Sequence, residues 1–341
     1  MLSDFDQLGS FLSFLRYDAC VRILVTGGAG FIGSYLCERL VNDGHNVTAL
    51  DCISTGKISN LQSLVNNTNF RFIEGSVLDT KLMNPYIDET DYVFHLAASV
   101  GVFNIVQNPL ASLLTNIRGT ENVLERASLS KTPVFLTSSS EVYGKNTSDS
   151  LKESDDRILG SPTTLRWSYS EAKAIDESLA FAYFIERKLE TRIVRFFNTV
   201  GPRQLGAYGM VVPRFVQAAL GNTPITIYGD GKQTRCFAHV FDVIDAVIAI
   251  AFTENTVGKV INIGNDFEIS IKGLAEKIIA DIGSKSEIVY LPYEEAYGDG
   301  FEDMERRVPN IDLIYQLVGW KPYRDLSTII ADISAEMKKS S

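Results

Sequence analysis

A tyrosine and a lysine stand four positions apart near the middle of the chain, after a run of hydroxyl side chains that ends in a carboxylate. The pair is Tyr169 and Lys173, and the run is Thr137-Ser138-Ser139-Ser140-Glu141. On a helix, residues four apart share one face, so the lysine ammonium group would lower the pKa of the tyrosine phenol. Such a phenol acts as a general base near neutral pH, and a neighbouring hydroxyl and carboxylate handle other protons of the substrate. The spacing therefore indicates acid–base catalysis, provided that a cofactor is present.

A glycine-rich turn at residues 26–33 follows the first predicted strand and opens the first predicted helix. Gly27, Gly30 and Gly33 give the spacing G-x-x-G-x-x-G, which permits a tight turn, a close approach of a pyrophosphate and close helix–strand packing. A plain strand–helix turn gives the same glycines, but Asp51 closes the second strand about twenty residues on, where a carboxylate binds ribose hydroxyls. Because this carboxylate repels a 2′-phosphate and residues 52–55 offer no arginine, the sequence favours NAD over NADP.

Strands and helices alternate between residues 21 and 197. The patterns predict strands at 21–26, 46–50, 70–74, 92–96, 133–137 and 191–196, and helices at 32–43, 108–129 and 166–187. This alternation predicts an α/β fold, a doubly wound parallel-sheet Rossmann domain that binds NAD. After Asn198 the elements become shorter, so residues 198–341 are predicted to form a smaller C-terminal α/β substrate lobe. Elements at about 236–264 return to the first domain, and residues 1–20 are interpreted as an N-terminal extension.

Composition excludes several classes of protein. The chain has 341 residues and a net charge of −10, which argues against a nucleic-acid binder. The cysteines form no C-x-x-C pair and the histidines are far apart, so neither a disulfide framework nor a metal site is predicted. The sequence offers no apolar run that would span a bilayer and no signal-peptide pattern, which predicts a cytoplasmic protein without a membrane partner.

Several motifs in this order resemble the extended short-chain dehydrogenase/reductase family, the NAD-dependent nucleotide-sugar epimerases, dehydratases and decarboxylases. Besides the glycine turn, the serine run and the tyrosine–lysine pair, the resemblance rests on segments 95–98, 195–198 and 229–235 and on Asn116. It implies a nucleotide-sugar substrate, most simply UDP-linked. It also implies a homodimer in which helices 108–129 and 166–187 pair across a two-fold axis, with Ala180, Phe181, Tyr183 and Phe184 as the apolar face of the second helix.

The resemblance also implies roles for individual residues. Tyr169 would take the proton of a sugar hydroxyl while NAD takes the hydride, Lys173 would bind the nicotinamide ribose, and Ser139 would bond the reacting hydroxyl. The implied cofactor-binding residues are Gly27, Gly30, Phe31, Ile32, Gly33, Asp51, Ala97, Asn116, Tyr169 and Lys173, and the implied substrate-binding residues are Arg166, Asn198, Arg214, Arg235 and Arg307. The aspartate that many members use for the adenine ring is replaced here, since Ser76 follows Gly75 and Asp79 lies three positions further on.

The resemblance further narrows the reaction that follows oxidation of the sugar. Dehydratases of this type carry an acid where this chain has Ser140, and many 4-epimerases lack a carboxylate where it has Glu141. Glu141, Arg166 and Arg307 together resemble the UDP-glucuronate decarboxylases, in which an arginine orients the substrate carboxylate and stabilises the enolate. The predicted catalytic residues are Ser139, Glu141, Tyr169, Lys173 and Arg307. UDP-glucuronate decarboxylation is the predicted reaction, UDP-sugar 4-epimerisation the alternative, and 4,6-dehydration less favoured.

Other interpretations of the three charged residues stay open at this point. Glu141 also fits a helix-start carboxylate or a ribose contact. Arg307 also fits a surface or diphosphate-binding arginine, and Arg166 an ion-paired residue at a helix N-terminus.

Overall fold

Seven parallel strands form the central sheet. The structure is a computed structural model that describes residues 20–101, 105, 107–204, 206, 210–297 and 304–340. The strands are, in chain order, β1 (Arg22–Thr26), β2 (Asn46–Asp51), β3 (Phe70–Glu74), β4 (Tyr92–His95), β5 (Val134–Ser139), β6 (Thr191–Phe196), β7 (Thr199–Val200), β8 (Ile225–Tyr228), β9 (Thr234–Cys236), β10 (Ala238–His239), β11 (Val260–Ile263), β12 (Glu268–Ser270), β13 (Ile288–Leu291) and β14 (Arg306–Arg307). The order in the central sheet is β3-β2-β1-β4-β5-β6-β11, so the predicted doubly wound Rossmann fold is confirmed.

Helices cover both faces of this sheet and build most of the second lobe. They are α1 (Phe31–Asn42), α2 (Thr80–Asp88), α3 (Pro109–Ser130), α4 (Ser168–Arg187), α5 (Val211–Leu220), α6 (Val240–Ala251), α7 (Ile271–Ile282), α8 (Tyr293–Tyr297), α9 (Asp312–Val318) and α10 (Leu326–Ser340). The helix predicted from residue 166 begins later, because Leu165–Trp167 forms a separate 3-10 turn before α4. Short 3-10 turns of this kind are common at helix N-termini.

The winding of the sheet reverses between β1 and β4, which lie side by side. In doubly wound folds the crevice at this switch point, at the carboxyl ends of the strands, is where ligands bind. The glycine turn follows β1, and the serine run ends β5 and continues into a 3-10 turn at Ser140–Tyr143. The topology therefore brings both sequence motifs to the same edge of the sheet.

Two apolar layers hold the Rossmann domain together. Helices α2, α3 and α4 pack on the face that carries Leu24 and Leu136, and helices α1, α6 and α9 pack on the face that carries Val25 and Ile261. Strand β11 pairs with β6, so the predicted return of residues 236–264 is present. Helix α9 and Trp320 also pack into this core. The sequence analysis placed the rest of residues 198–341 in the second lobe. That prediction is wrong for α9 and Trp320, because the chain returns to the core of the Rossmann domain a second time.

The predicted apolar face of α4 is used mostly inside the monomer. Ala180 is fully buried in the core, and Phe181 and Tyr183 pack against it. Phe184 lies against Gly258, where an added Cβ would come within 2.5 Å of the phenylalanine ring. These residues therefore explain how α4 attaches to the sheet, and they do not by themselves indicate a dimer.

The second lobe has its own core and two small sheets. Helices α5, α7 and α10 pack together with β8, which pairs with β13. Strands β12, β9 and β14 form the other sheet, and β14 pairs in register with β9, so that Arg307 lies beside Arg235. Within the described residues, every helix is too short or too polar to cross a bilayer. Residues 1–19 and 298–303, which include most of the predicted extension and part of the segment before Arg307, lie outside the described residues.

Candidate active site

A cavity of about 750 Å³ opens where the central strands end and the second lobe begins. Sixteen of the predicted site residues line it: Gly27, Gly30, Phe31, Ile32, Gly33, Asp51, Ala97, Ser139, Glu141, Arg166, Tyr169, Lys173, Asn198, Arg214, Arg235 and Arg307. Asn116 is not part of the wall. Its side-chain amide is used in the protein, since its oxygen accepts from Ser99 N (2.6 Å) and its nitrogen donates to Ser99 O (3.2 Å). Asn116 therefore shapes a loop of the cavity wall instead of facing the cavity.

The glycine turn needs glycine for reasons of space and backbone conformation. Gly27 has a φ of +73°, and a Cβ there would lie 2.8 Å from Ala97 N. A Cβ on Gly33 would lie 2.1 Å from Gly27 O. The N-terminus of α1 thus faces the cavity with bare backbone, which is the arrangement that binds a pyrophosphate.

Asp51 supports this turn from the end of β2. Its carboxylate accepts from Ala29 N (3.0 Å) and Ile53 N (2.8 Å), and burial raises its pKa while these backbone bonds lower it. Ser76 lines the same part of the cavity, whereas Asp79 caps α2 by accepting from Leu82 N (3.1 Å). Of the two candidates for an adenine contact, Ser76 is the one that the fold brings to the cavity wall.

Tyr169 and Lys173 lie one turn apart on α4 and both line the cavity, as predicted. Lys173 is 2% exposed, and its Nζ donates to Thr137 O (3.0 Å) and to Asp176 Oδ2 (3.2 Å). Asp176, three residues after the lysine, is a site residue that the sequence analysis missed. The sequence did contain an indication of this role, because Asp176 is an acidic residue on the same helix face as Tyr169 and Lys173.

The prediction that Lys173 lowers the pKa of Tyr169 is corrected by these contacts. Burial raises the pKa of the Tyr169 phenol, and the negative charges of Glu141 and Asp176 raise it further, while the hydrogen bond with Ser139 lowers it. Asp176 offsets the charge of the lysine because the two groups are directly bonded. The pair has the geometry of a general base, but in the protein alone the phenol holds its proton.

Glu141 bridges two buried arginines in the wall of the same cavity. Its Oε2 lies 2.6 Å from Arg166 Nη1, and its Oε1 lies 2.7 Å from Arg307 Nη1. The side chains of Glu141, Arg166 and Arg307 are 13%, 5% and 9% exposed. Arg307 Nη1 is also 3.3 Å from Ser140 Oγ, a contact that the sequence analysis did not anticipate. Three distant segments therefore meet in one cluster, which we call the arginine clamp (Glu141, Arg166 and Arg307).

The clamp determines what Glu141 can do chemically. Burial alone would raise the pKa of its carboxyl group, but the two guanidinium groups outweigh burial and hold that pKa far below its ordinary value. A carboxylate that stays ionised at all working pH values is a poor proton carrier. Glu141 therefore holds the two arginines in place, and the clamp as a whole carries positive charge toward the cavity.

The remaining predicted substrate residues lie on the second lobe and the end of β6. Arg235 is buried beside Arg307, and Asn198 Nδ2 donates to Cys236 O (2.9 Å). The Arg214 guanidinium stacks on the Tyr228 ring, 4.0 Å from its centroid. Arginines in a cavity next to a bare helix N-terminus suit a diphosphate on charge and geometry.

A sequence profile of the GDP-mannose 4,6-dehydratase family matches residues 24–333. The chain belongs to this family of extended short-chain dehydrogenase/reductases. The family consists of NAD-dependent enzymes, so the predicted family, enzyme class and cofactor are confirmed.

Two relatives of this family member are decarboxylases. The UDP-N-acetyl-alpha-D-glucosaminuronate decarboxylase of Bacillus cytotoxicus is 42% identical over 302 residues, which are 88% of this chain and 92% of the relative. UDP-glucuronic acid decarboxylase 1 of Xenopus tropicalis is 36% identical over 313 residues, which are 91% of this chain and 70% of the relative.

Solved structures of the family have the same fold but other reactions. The dTDP-glucose 4,6-dehydratase of Bacillus anthracis, in complex with NAD, matches with a TM-score of 0.82 and 26% identity over 94% of this chain and 97% of that chain. Solved UDP-sugar 4-epimerases match with TM-scores of 0.84 and 0.85. The fold therefore does not distinguish among the reactions, and the side chains of the cavity must be used for that purpose.

Proposed function

We propose that this family member is an NAD-dependent decarboxylase of a UDP-hexuronate, either UDP-glucuronate or its 2-acetamido counterpart. The observation that carries the proposal is the arginine clamp, which places two buried guanidinium groups in the same cavity as Tyr169 and Lys173. The decarboxylase relatives support it, because both act on a nucleotide sugar with a carboxylate.

The glycine turn and Asp51 fit NAD. Gly27 and Gly33 let the turn pack closely against the backbone of Ala97 and of the turn itself, and both line the cavity at the N-terminus of α1. Asp51 supplies a carboxylate for ribose hydroxyls but no cation for a 2′-phosphate. Lys173, with two of its three N–H groups used inside the protein, keeps one for a ligand. NAD, when bound, supplies the acceptor for the hydrogen removed from C4 of the sugar.

The side chains of the cavity then provide the proton chemistry. In its ionised form, which the positive charges of Lys173 and of bound NAD would favour, Tyr169 takes the proton of the C4 hydroxyl. Ser139 bonds the same oxygen while it becomes a ketone. The ketone makes the C6 carboxylate labile, because the electron pair of the C5–C6 bond is delocalised onto the C4 oxygen as CO₂ leaves. C5 then gains a proton, which balances the one that Tyr169 removed from the C4 hydroxyl, and the product is a 4-keto-pentose nucleotide.

The arginine clamp has a defined part in this sequence. A guanidinium has five N–H donors, and the bonds of Arg307 to Glu141 and Ser140 use only its Nη1. The buried Nε of Arg307 has no hydrogen-bond partner within the described residues. Arg307 and Arg166 orient the substrate carboxylate and stabilise the negative charge that develops on the enolate.

The same geometry disfavours the two other reactions of the family. A 4,6-dehydratase needs an acid and a base near C5 and C6, but Ser140 is a poor acid and Glu141 is kept ionised by two arginines. A 4-epimerase of neutral hexoses has no anion to place against two buried cations. Decarboxylation is the reaction of this family that uses both arginines.

The decisive experiment incubates the protein and NAD with UDP-glucuronate, UDP-N-acetylglucosaminuronate or UDP-glucose, and follows labelled CO₂ and the proton NMR spectrum of the sugar. The identity of 42% to the N-acetylglucosaminuronate enzyme makes that sugar the first to test. Arg307→Gln should abolish CO₂ release. Arg306→Gln is the matched control, because Arg306 pairs with Glu268 outside the cavity and should be replaceable. Interconversion of UDP-glucose and UDP-galactose without CO₂ from either hexuronate would refute the proposal and favour the epimerase.

We also propose a homodimer through α3 and α4. The exposed large apolar residues on these helices are Leu110, Leu129, Ile175 and Ile185. These exposed side chains are compatible with the pairing of the two helices that the resemblance to the family implies. Light scattering at micromolar concentration should give twice the monomer mass, and a monomer would refute the proposal.

We keep the cytoplasm as the proposed location. The four cysteines are free thiols, which supports a reducing compartment. Fractionation of the source cells with an antibody to the protein would test this.

A further inference from the structure

Asp176, a fully buried carboxylate on α4, lies behind the catalytic pair and takes no part in the chemistry described so far. Its Oδ2 is 3.2 Å from Lys173 Nζ, and Thr137 O is 3.0 Å from the same nitrogen. These two acceptors use two of the three N–H groups of the ammonium. The third N–H is left for Tyr169 or a ligand in the cavity, which Lys173 and Tyr169 both line.

Among the described residues, the neighbouring elements pair no other carboxylate with Lys173. On β4, His95 lies between Thr26 Oγ1 (2.7 Å) and Thr120 Oγ1 (3.1 Å). Burial and the charge of Lys173 lower the pKa of His95 to about 3, so the imidazole is neutral at working pH. Thr120 on α3 is uncharged and lies close to Asp176.

The other carboxylates that face this region are already paired with arginines. They are Glu177, which pairs with Arg195, and Glu141, which pairs with Arg166 and Arg307. Asp176 is therefore the carboxylate whose partner is the catalytic lysine itself.

We propose that Asp176 is a positioning residue that fixes the Lys173 ammonium group beside Tyr169 and partly neutralises its charge. This inference rests on the proposed acid–base role of Tyr169, and it does not depend on which sugar reaction follows. A buried ammonium without a partner carries a large desolvation cost, and the carboxylate of Asp176 offsets this cost while it holds the ammonium in one place. The same negative charge acts on the phenol and opposes its ionisation.

The test is Asp176→Asn in the holoenzyme with NAD. Asparagine keeps an oxygen that accepts from Lys173 but removes the charge. The Tyr169 phenol should then ionise at a pH lower by roughly half a unit to one unit, because one nearby negative charge is gone. NMR of ring-carbon-labelled tyrosine reports this ionisation, and Tyr169→Phe assigns the signal. The acid limb of the sugar-oxidation rate should move by the same amount, which makes the variant roughly three- to tenfold faster below that limb.

Two further variants separate positioning from a merely structural role. Asp176→Ala removes the acceptor as well as the charge, so its kcat should fall while that of Asp176→Asn is retained. Asp245→Asn removes a carboxylate that pairs with Arg39 on the outside of the protein, and it should leave both titrations unchanged.

An unchanged or higher phenol pKa in Asp176→Asn would overturn the inference. A wild-type protein that oxidises no nucleotide sugar would instead overturn the proposed function, and the NMR titration would still decide the role of Asp176.

Discussion

Replacing Glu141 by glutamine tests the arginine clamp most directly. The substitution keeps the size of the side chain and one acceptor oxygen, but it removes the negative charge that pairs with Arg166 and Arg307. Both ion pairs are short, at 2.6 and 2.7 Å, and all three side chains are at most 13% exposed. Removing one partner of a buried ion pair costs about 3–5 kcal/mol. Because glutamine still bonds one arginine, we expect the lower end, about 3 kcal/mol, and a melting temperature lower by roughly 4 °C.

The ligand response distinguishes a substrate site from a structural ion pair. UDP-glucuronate and UDP-glucose differ only at C6, so the carboxylate of the first should supply the charge that Glu141→Gln has lost. Thermal-shift measurements with NAD present should show that UDP-glucuronate stabilises the variant more than UDP-glucose, by a larger margin than in the wild type. Glu177→Gln is the matched control, since it breaks a buried pair with Arg195 that lies behind the cavity. An equal response to both sugars in Glu141→Gln would refute the carboxylate site.

The pH dependence of this effect has a definite sign. The pKa of Glu141 in the folded protein lies far below its ordinary value of 4.5. Its contribution to stability is therefore complete above pH 4.5 and is lost as the pH falls toward the folded-state pKa. The difference in unfolding free energy between wild type and Glu141→Gln should be largest at neutral pH and shrink in acid. A difference that grows in acid would contradict the ion-pair assignment.

Three further outcomes are expected. Tyr169→Phe should slow sugar oxidation by roughly 10²–10⁴-fold and keep NAD affinity, as single-turnover absorbance and calorimetry would show, and retained activity would remove Tyr169 from catalysis. Gly33→Ala should weaken NAD binding roughly tenfold, because the added Cβ would lie 2.1 Å from Gly27 O and overpack the turn. Gly221→Ala is the control and should leave NAD binding unchanged, because its added Cβ has its nearest contact at 3.5 Å. The unfolding free energy should fall between pH 6.5 and about 3, because the unfolded chain binds a proton at His95 in this range and the folded protein does not. In denaturant melts, His95→Gln should make this decrease smaller. An unchanged slope would contradict the lowered pKa of His95.

The sequence by itself determined the fold and the first chemical step. The glycine turn, Asp51 and the Tyr169–Lys173 spacing are local patterns, and each depends on residues that are neighbours on one strand, turn or helix. The return of residues 260–263 to the sheet was also readable, because a short apolar strand has few places to pair. These features agree with the structure because the spacing of residue types along a segment determines the local geometry of that segment.

Only the tertiary structure decided what the site is suited to do. Glu141 and Arg307 are 166 positions apart, and they meet because β14 pairs with β9. Asn116 faces Ser99 and not the cavity, which depends on how a loop lies against α3. The direction of the Tyr169 pKa was wrong from sequence, because burial and the charges of Glu141 and Asp176 act through space and outweigh the neighbouring lysine. Charge and burial are sums over everything that the fold brings within a few ångströms, so they become known only when the chain is folded.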